Sequence, residues 1–195
     1  MHDQQTAALL LREAERIVEA EGLPALSLRR LADETGISSR AVYALFGSKD
    51  ALVAALGAQA FEWLGAAVAA APLTDDPAKD LVEAGAVAFR RLATEHVVLY
   101  QIGVQGTGSP AVREPIAAAA QRAWRHLLTR TERLDAARQL GSRSAHEAAV
   151  EFHAMCEGLA AIETRGLLAG LAGEGEPAAL WRSSLGALVA GFAQT

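Results

Sequence analysis

The sequence predicts an all-α fold of about nine helices, with a small three-helix head at the N-terminus followed by a larger helical body. Three observations lead there. Of the residues, 51% are apolar and only 5% aromatic; Ala and Leu dominate and β-branched residues are sparse apart from scattered Val, which is the composition of helices. Apolar residues recur at helical spacing along most of the chain. Between the periodic stretches stand Gly, Pro and Ser, where helices stop and start. A length of 195 residues admits one large domain or two modest ones.

The first element, residues 5 to 21, sets Leu10, Ala14, Ile17 and Val18 along one stripe, with Arg12, Glu13, Arg16 and Glu19 elsewhere. Gly22 and Pro24 end it. Ser27 is placed to cap a short helix through about residue 35, Gly36 stops that helix, and Ser38 or Ser39 caps another to about residue 45. Ser48 caps a longer helix running from Lys49 toward Ala71. After the break at Pro72, Thr74, Asp75 and Pro77, residues 79 to 95 read as a helix with Leu81, Ala84, Ala88, Phe89 and Leu92 inward. Residues 96 to 105 read as a short apolar helix, although VVLY has strand propensity. GTGSP, residues 106 to 110, reads as a loop. A long helix follows from Pro110 to about Leu140, stopped by Gly141. Residues 145 to 169 and 177 to 192 form the last two helices, joined by the glycine-rich GLAGEGEP.

Charge and cysteine content narrow the classes. A net charge of −5 argues against a chain that coats nucleic acid by bulk electrostatics. Residues 22 to 49 run against that balance, with Arg29, Arg30, Arg40 and Lys49 against Asp33 and Glu34, so a small basic face is expected there. Cys156 is the single cysteine, and the polar start MHDQQTAALLLREAE does not read as a secretory leader. A cytoplasmic location is expected. The longest stretch without Asp, Glu, Lys or Arg, 96 to 112, holds glycines, glutamines and a proline, unlike the ~18 or more apolar residues of a membrane span. No membrane span is expected.

Residues 28 to 52 carry the restraints of a helix-turn-helix. Leu31 and Ala32 face inward, Gly36 allows positive φ where the chain reverses, Ile37 sits in the turn, and Val42 and Leu45 present the next helix's buried side. The second helix then offers Ser38, Ser39, Arg40, Tyr43 and Ala44 outward, an arrangement that fits a major groove. The order REAERIVEAEGLPALSLRRLADETGISSRAVYALFGSKDALVAAL, residues 12 to 56, resembles the TetR-type bacterial transcriptional regulators, above all in Tyr43, Phe46, Ser48, Lys49 and Leu52. The end of the chain, FHAMCEGLAAIE followed by LWRSSLGALVAGF, resembles the C-terminal variant with a W-H-G signature, with Phe152 and Glu157 standing where its Trp and His are expected.

The resemblance implies a head over residues 1–49 that binds double-stranded operator DNA, and a ligand-binding and dimerisation body over residues 50–195. It implies that Arg29 and Lys49 meet phosphates, that Ser39 and Arg40 read bases, that Tyr43 meets the backbone or a thymine methyl, and that Ser27 and Ser38 lie at the same interface. Where the family often supplies a hydrogen-bonding ring, this chain has Leu45. It further implies a homodimer whose last two helices pair with their counterparts, and an apolar or amphipathic small-molecule effector that releases the DNA. The small-residue face of Val150, Ala154, Gly158 and Ala161 supports that pairing independently, and Leu185, Gly186 and Val189 are assigned to it from the final helix. A cavity is expected among Phe89, Tyr100, Gln101, Trp124, Leu128, Phe152 and Cys156, with Tyr100, Gln101 and His126 as polar anchors.

Catalytic and metal readings find little support. His153, Cys156 and Glu157 lie within two helical turns, but Cys156 shares a stripe with Phe152 and Leu159, so an inert buried thiol is expected. His96 and His126 have no evident catalytic partner. GVQGTGSP lacks the strand and lysine of a phosphate loop, and neither a nucleophile elbow nor H-E-x-x-H occurs. No enzyme activity, metal or cofactor is expected. The rival readings are a helical enzyme or metal-binding protein that retains the head, and a DNA-binding protein without an effector.

Overall fold

Helix α1 (His2–Glu21) opens the chain in the computed structural model, which describes residues 2–106, 109–171 and 175–194. Its inward stripe is the expected one, with Leu10, Ala14 and Ile17 fully buried. A 3-10 turn, Leu23–Ala25, with Pro24 in its first positions, leads to α2 (Leu28–Thr35), α3 (Ser39–Phe46) and α4 (Lys49–Ala70). Next come α5 (Pro77–Ala84), a π-helical turn (Gly85–Phe89), α6 (Arg90–Glu95), α7 (Val97–Tyr100) and a second π-helical turn (Gln101–Gln105). Helices α8 (Pro110–Ala136), α9 (Ala145–Thr164), α10 (Leu168–Leu171) and α11 (Pro177–Phe192) complete the chain. No strand occurs among the described residues; VVLY is helical.

Several boundaries differ from the sequence-based expectation. The stretch 79 to 95 is interrupted by the π-helical turn. Helix α8 stops at Ala136 because Arg138, not a glycine, takes the left-handed conformation at φ 56, and the Gln139 amide donates back to Leu134 O at 2.9 Å. Helix α9 stops at Thr164, where Gly166 at φ 73 lets the Leu167 amide reach Ile162 O at 3.1 Å. Thr107 and Gly108 of the expected loop, and residues 172–174 of the glycine-rich connection, lie outside the described residues.

The chain divides into two compact units. The first comprises residues 1–61 and 96–120, the second residues 62–95 and 121–195. In the first, α1 packs on α2, α3 and α7. Within it α4 comes close to the second π-helical turn: a Cβ on Gly103 would fall 2.8 Å from both Gly57 O and the Ala60 Cβ. Only glycine fits there.

In the second unit α11 packs on α5 and α9, and α9 also meets α6. Trp181 and Phe192 are fully buried. The Trp181 indole N–H donates to Glu163 at 2.7 Å, and Arg90 meets the same carboxylate at 2.8 Å. Buried Arg130 closes the carboxyl end of α4, donating to Val68 O at 2.6 Å and Ala71 O at 2.7 Å, with longer bonds to Asp80 O at 3.3 Å and Pro72 O at 3.4 Å. Carbonyls at a helix end run out of partners within their own helix, so a buried guanidinium supplies the missing donors. Asp80 accepts from the Thr74 amide at 2.7 Å, the Thr74 hydroxyl at 2.8 Å and Arg133 at 2.6 Å. Burial pushes its carboxyl up, but those three donors outweigh it and hold the group below the ordinary aspartate value.

By length and composition alone, α4 is apolar enough to cross a membrane, with mean hydropathy 1.5 over its most apolar window and 44% of that window buried. Glu62 divides its apolar run, so no long charge-free stretch marks it in the sequence. In the structure its Leu52, Val53, Leu56, Ala60 and Leu64 are core residues.

Candidate nucleic-acid interface

The helix-turn-helix forms through local bonds that the sequence encodes residue by residue. Ser27, extended at φ −150 and ψ 155, caps α2 by accepting the Arg30 amide at 3.1 Å. Leu28, Leu31 and Ala32 fill the inner side, and Gly36 ends the helix at φ 67, a conformation costly for a residue with a Cβ. The Thr35 hydroxyl donates to Leu31 O at 2.7 Å. Ser38 then caps α3 by accepting the Ala41 amide at 3.3 Å, and Val42 anchors that helix inward. Helices α2 and α3 pack directly on each other.

With Val42 inward, α3 turns Ser39, Arg40, Tyr43 and Ala44 to solvent. Tyr43 is 52% exposed, a large aromatic surface left open to solvent. Leu45 is exposed as well, so the sequence expectation that it faces inward is corrected: the buried side of α3 is narrower and rests on Val42. Arg29 on α2 is exposed. Among the described residues neither Arg29 nor Arg40 enters an ion pair.

Two other cations of the segment are spent internally. Arg30 donates to Glu21 at 2.8 Å and lies 3.5 Å from Glu34, and the hydrogen bond to Glu21 drives its already high pKa further up. It staples α2 to the end of α1. Half-buried Lys49 turns its Nζ onto Leu23 O at 3.0 Å and Pro24 O at 3.3 Å. The basic face read from composition therefore shrinks to Arg29 and Arg40, which counting charges along the sequence could not reveal.

The other candidate sites fare unevenly. Phe89, Tyr100, Phe152 and Cys156 are all buried core residues. The Phe152 ring occupies the space over Gly85, where a Cβ would fall 2.6 Å from it, and Phe89 packs against His153 and Trp181 at ring separations of 5.5 and 6.4 Å. Burial pushes the Cys156 thiol far up, with Glu157 adding to the shift, which leaves it inert. Trp124 and Leu128 are half-buried on α8, Gln101 is exposed, and His126 is exposed. Tyr100 and Gln101 belong to the first unit and the other five to the second, so the seven do not gather in one unit. Trp124 instead meets His146 and His153 edge-on at 5.6 and 5.8 Å.

Of the dimerisation residues, Val150, Ala154 and Gly158 are exposed, and Ala161 and Gly186 half-buried. A Cβ on Gly158 or Gly186 would meet nothing within 4 Å. Leu185 and Val189 are corrected: at 0% and 4% exposure they belong to the protomer's own core, because α11 directs that side at α5 and α9. No group of three His, Cys, Asp or Glu side chains able to hold a metal occurs among the described residues. His153 instead pairs with Glu157 at 3.0 Å.

A capped helix-turn-helix with an exposed, cation-bearing second helix defines a DNA-binding protein. Residues 10–56 match the model of the bacterial regulatory proteins of the tetR family, which supports a TetR-type regulator. No curated protein matches it. Among solved structures it is similar to a protein of unknown function from Rhodococcus sp. RHA1, at 25% identity over 96% of this chain and 95% of that one, with a TM-score of 0.82. It shares its fold with the TetR family transcriptional regulator PfmR from Thermus thermophilus, at 21% identity over 92% and 96% of the two chains and a TM-score of 0.65. The regulator FadR from Bacillus subtilis, solved in complex with stearoyl-CoA, aligns at 14% identity over 94% and 98% with a TM-score of 0.73.

Proposed function

We propose that the chain is a cytoplasmic, ligand-responsive repressor that binds a palindromic operator as a homodimer. The observation that carries the reading is the outward row on α3, Ser39, Arg40 and Tyr43, beside the exposed Arg29 of α2. Arg40 reads a base pair, in the bidentate manner guanidinium makes with guanine, and Ser39 reads its neighbour. Arg29 holds a phosphate, and Tyr43 lies against the backbone or a thymine methyl. Ser27 and Ser38 accept amide protons as caps and have hydroxyl protons left to donate to phosphate oxygens. Residues 1–49 do this work, and residues 50–195 hold the effector and the partner protomer.

The open, small-residue face of α9 with Gly186 of α11 supports the dimer, because nothing within 4 Å of either glycine position would oppose a second helix. A neighbour of the same fold that holds stearoyl-CoA supports an amphipathic effector with an apolar chain. The packed state of Phe89, Tyr100, Phe152 and Cys156 favours a second reading, a DNA-binding regulator without an effector.

The deciding experiment is selection of duplexes from a random pool by the full chain, followed by titration of the selected operator complex with acyl amphiphiles. An effector coupled by ~1 to 3 kcal/mol weakens operator binding ~5- to 150-fold. Operator affinity unchanged by every amphiphile would favour the effector-free reading.

A further inference from the structure

Glu21 and Arg30 each carry the charge that their own helix end disfavours. Glu21 is the last residue of α1 and Arg30 stands in the first turn of α2, whereas a helix dipole favours cations at its carboxyl end and anions at its amino end. The two side chains meet across nine positions of sequence. We propose that Glu21, acting through Arg30, is a positioning residue for DNA recognition, an acidic side chain on which operator selectivity depends. The inference rests on the DNA-binding reading of the head and deepens it.

Arg30 grips Glu21 with both ends of its fork, Nη1 donating to Oε2 at 2.8 Å and Nη2 to Oε1 at 2.5 Å, so each misplaced charge is met by its opposite. The Arg30 amide donates at the same time to Ser27 Oγ at 3.1 Å. One residue thereby closes the cap of α2 and ties that cap to the end of α1. The alternation of charge continues along the boundary of the two helices: Arg30 lies 3.5 Å from Glu34, Glu34 lies 3.6 Å from Arg16, and Arg16 lies 2.5 Å from Glu13. Glu13 and Arg16 belong to α1, Arg30 and Glu34 to α2. An isolated exposed ion pair contributes little, but a bidentate arginine within a network of alternating charge is the case that does contribute.

Burial of Leu28, Leu31 and Ala32 sets how deeply α2 sits, but apolar burial has no direction. A guanidinium fork on a carboxylate is directional, so it fixes how α2 is turned about its own axis. Arg29 is the neighbouring residue and faces solvent, and α3 packs on α2. A turn of α2 therefore moves Arg29, and with it the row Ser39, Arg40 and Tyr43. DNA is an anion, so simple electrostatics predicts that removing the charge of Glu21 strengthens binding to every duplex. Positioning predicts the opposite sign, on operator DNA alone.

The test measures binding of the full chain, by fluorescence anisotropy against salt, to a selected operator and to a scrambled duplex of the same composition. The variants are Glu21→Gln, Arg30→Gln, the two combined, and Arg30→Lys, each checked for folding by urea unfolding. Glu21→Gln is expected to bind the operator several-fold more weakly and the scrambled duplex no more weakly. In the Arg30→Gln background the same change costs nothing further, because the partner it acts through is gone. Arg30→Lys keeps the charge without the fork, so it keeps scrambled-duplex binding and loses selectivity. Operator binding by Glu21→Gln as tight as wild type or tighter, or losses that add in the double variant, would overturn the proposal. So would a salt slope on the scrambled duplex lower by ~0.9 in Arg30→Gln, which would place that guanidinium on a phosphate. Should a Gln variant fail to fold, Arg30→Lys decides, and wild-type selectivity in it overturns the proposal. A wild-type chain that enriches no duplex sequence would overturn the DNA-binding reading and this inference with it, whereas a selective wild type beside an unaffected Glu21→Gln overturns the inference alone.

Discussion

Arg29, Arg30 and Arg40 are chemically identical, yet their surroundings give them different work. Arg30 is held by Glu21 and Glu34, while Arg29 and Arg40 face solvent without an ion pair among the described residues. Arg40→Ala is therefore expected to relax preference at one base pair at a cost of ~1 to 3 kcal/mol, whereas Arg29→Ala weakens binding to all sequences alike and lowers the salt slope by ~0.9. Fluorescence anisotropy against salt, on operator and point-substituted duplexes, separates the two; equal effects in both assays would refute the division of roles. Asp80 carries a pH dependence. Its carboxyl sits below the ordinary aspartate value when folded, so its contribution is present above the unfolded value of ~3.9 and is lost as pH falls through the folded value. Asp80→Asn should destabilise the chain at neutral pH and flatten the acid limb of its stability curve below pH ~4, measured by urea unfolding at several pH values.

The helices depend on how their ends are satisfied, and here the sequence was most informative where caps are local. Ser27, Gly36 and Ser38 announce α2 and α3, and the structure places all three as caps or turn. The end of α4 was not legible, because Arg130 lies some 60 positions away and reaches its carbonyls only through tertiary packing. Arg138 at positive φ was equally hidden, since a non-glycine residue in that conformation carries no local signal. Arg130→Met should cost about 3 kcal/mol by thermal unfolding, as several carbonyls lose charged donors at once. Gly103→Val should cost ~1 to 3 kcal/mol, because its Cβ meets backbone at Gly57 that has nowhere to go. Wild-type stability in either variant would show the packing to be looser than the structure has it.

At the scale of the whole molecule, the all-helical fold and the head were legible because their signals are periodic or local. The candidate cavity was not, since large apolar residues at helical spacing describe a packed core and a ligand site equally well. Phe152 over Gly85 illustrates this: the absence of a side chain at Gly85 is what admits the ring. Leu185 and Val189 failed as interface residues for the same reason, both being consumed by the protomer's own core. Gly158 tests the assembly cleanly. Its Cβ position is open within the protomer, so Gly158→Leu should fold normally and yet shift sedimentation from dimer toward monomer. A variant that stayed dimeric at low concentration would move the interface elsewhere.

The most direct test of DNA recognition by α3 is selection of random duplexes by the full chain, run in parallel with the Arg40→Ala variant. The wild-type chain is expected to enrich an inverted repeat with half-sites about one helical turn, ~34 Å, apart. The variant should enrich the same repeat with one symmetric base-pair position degraded. Recovery of unpatterned DNA by the wild-type chain, or identical sequence preferences for the two proteins, would contradict it.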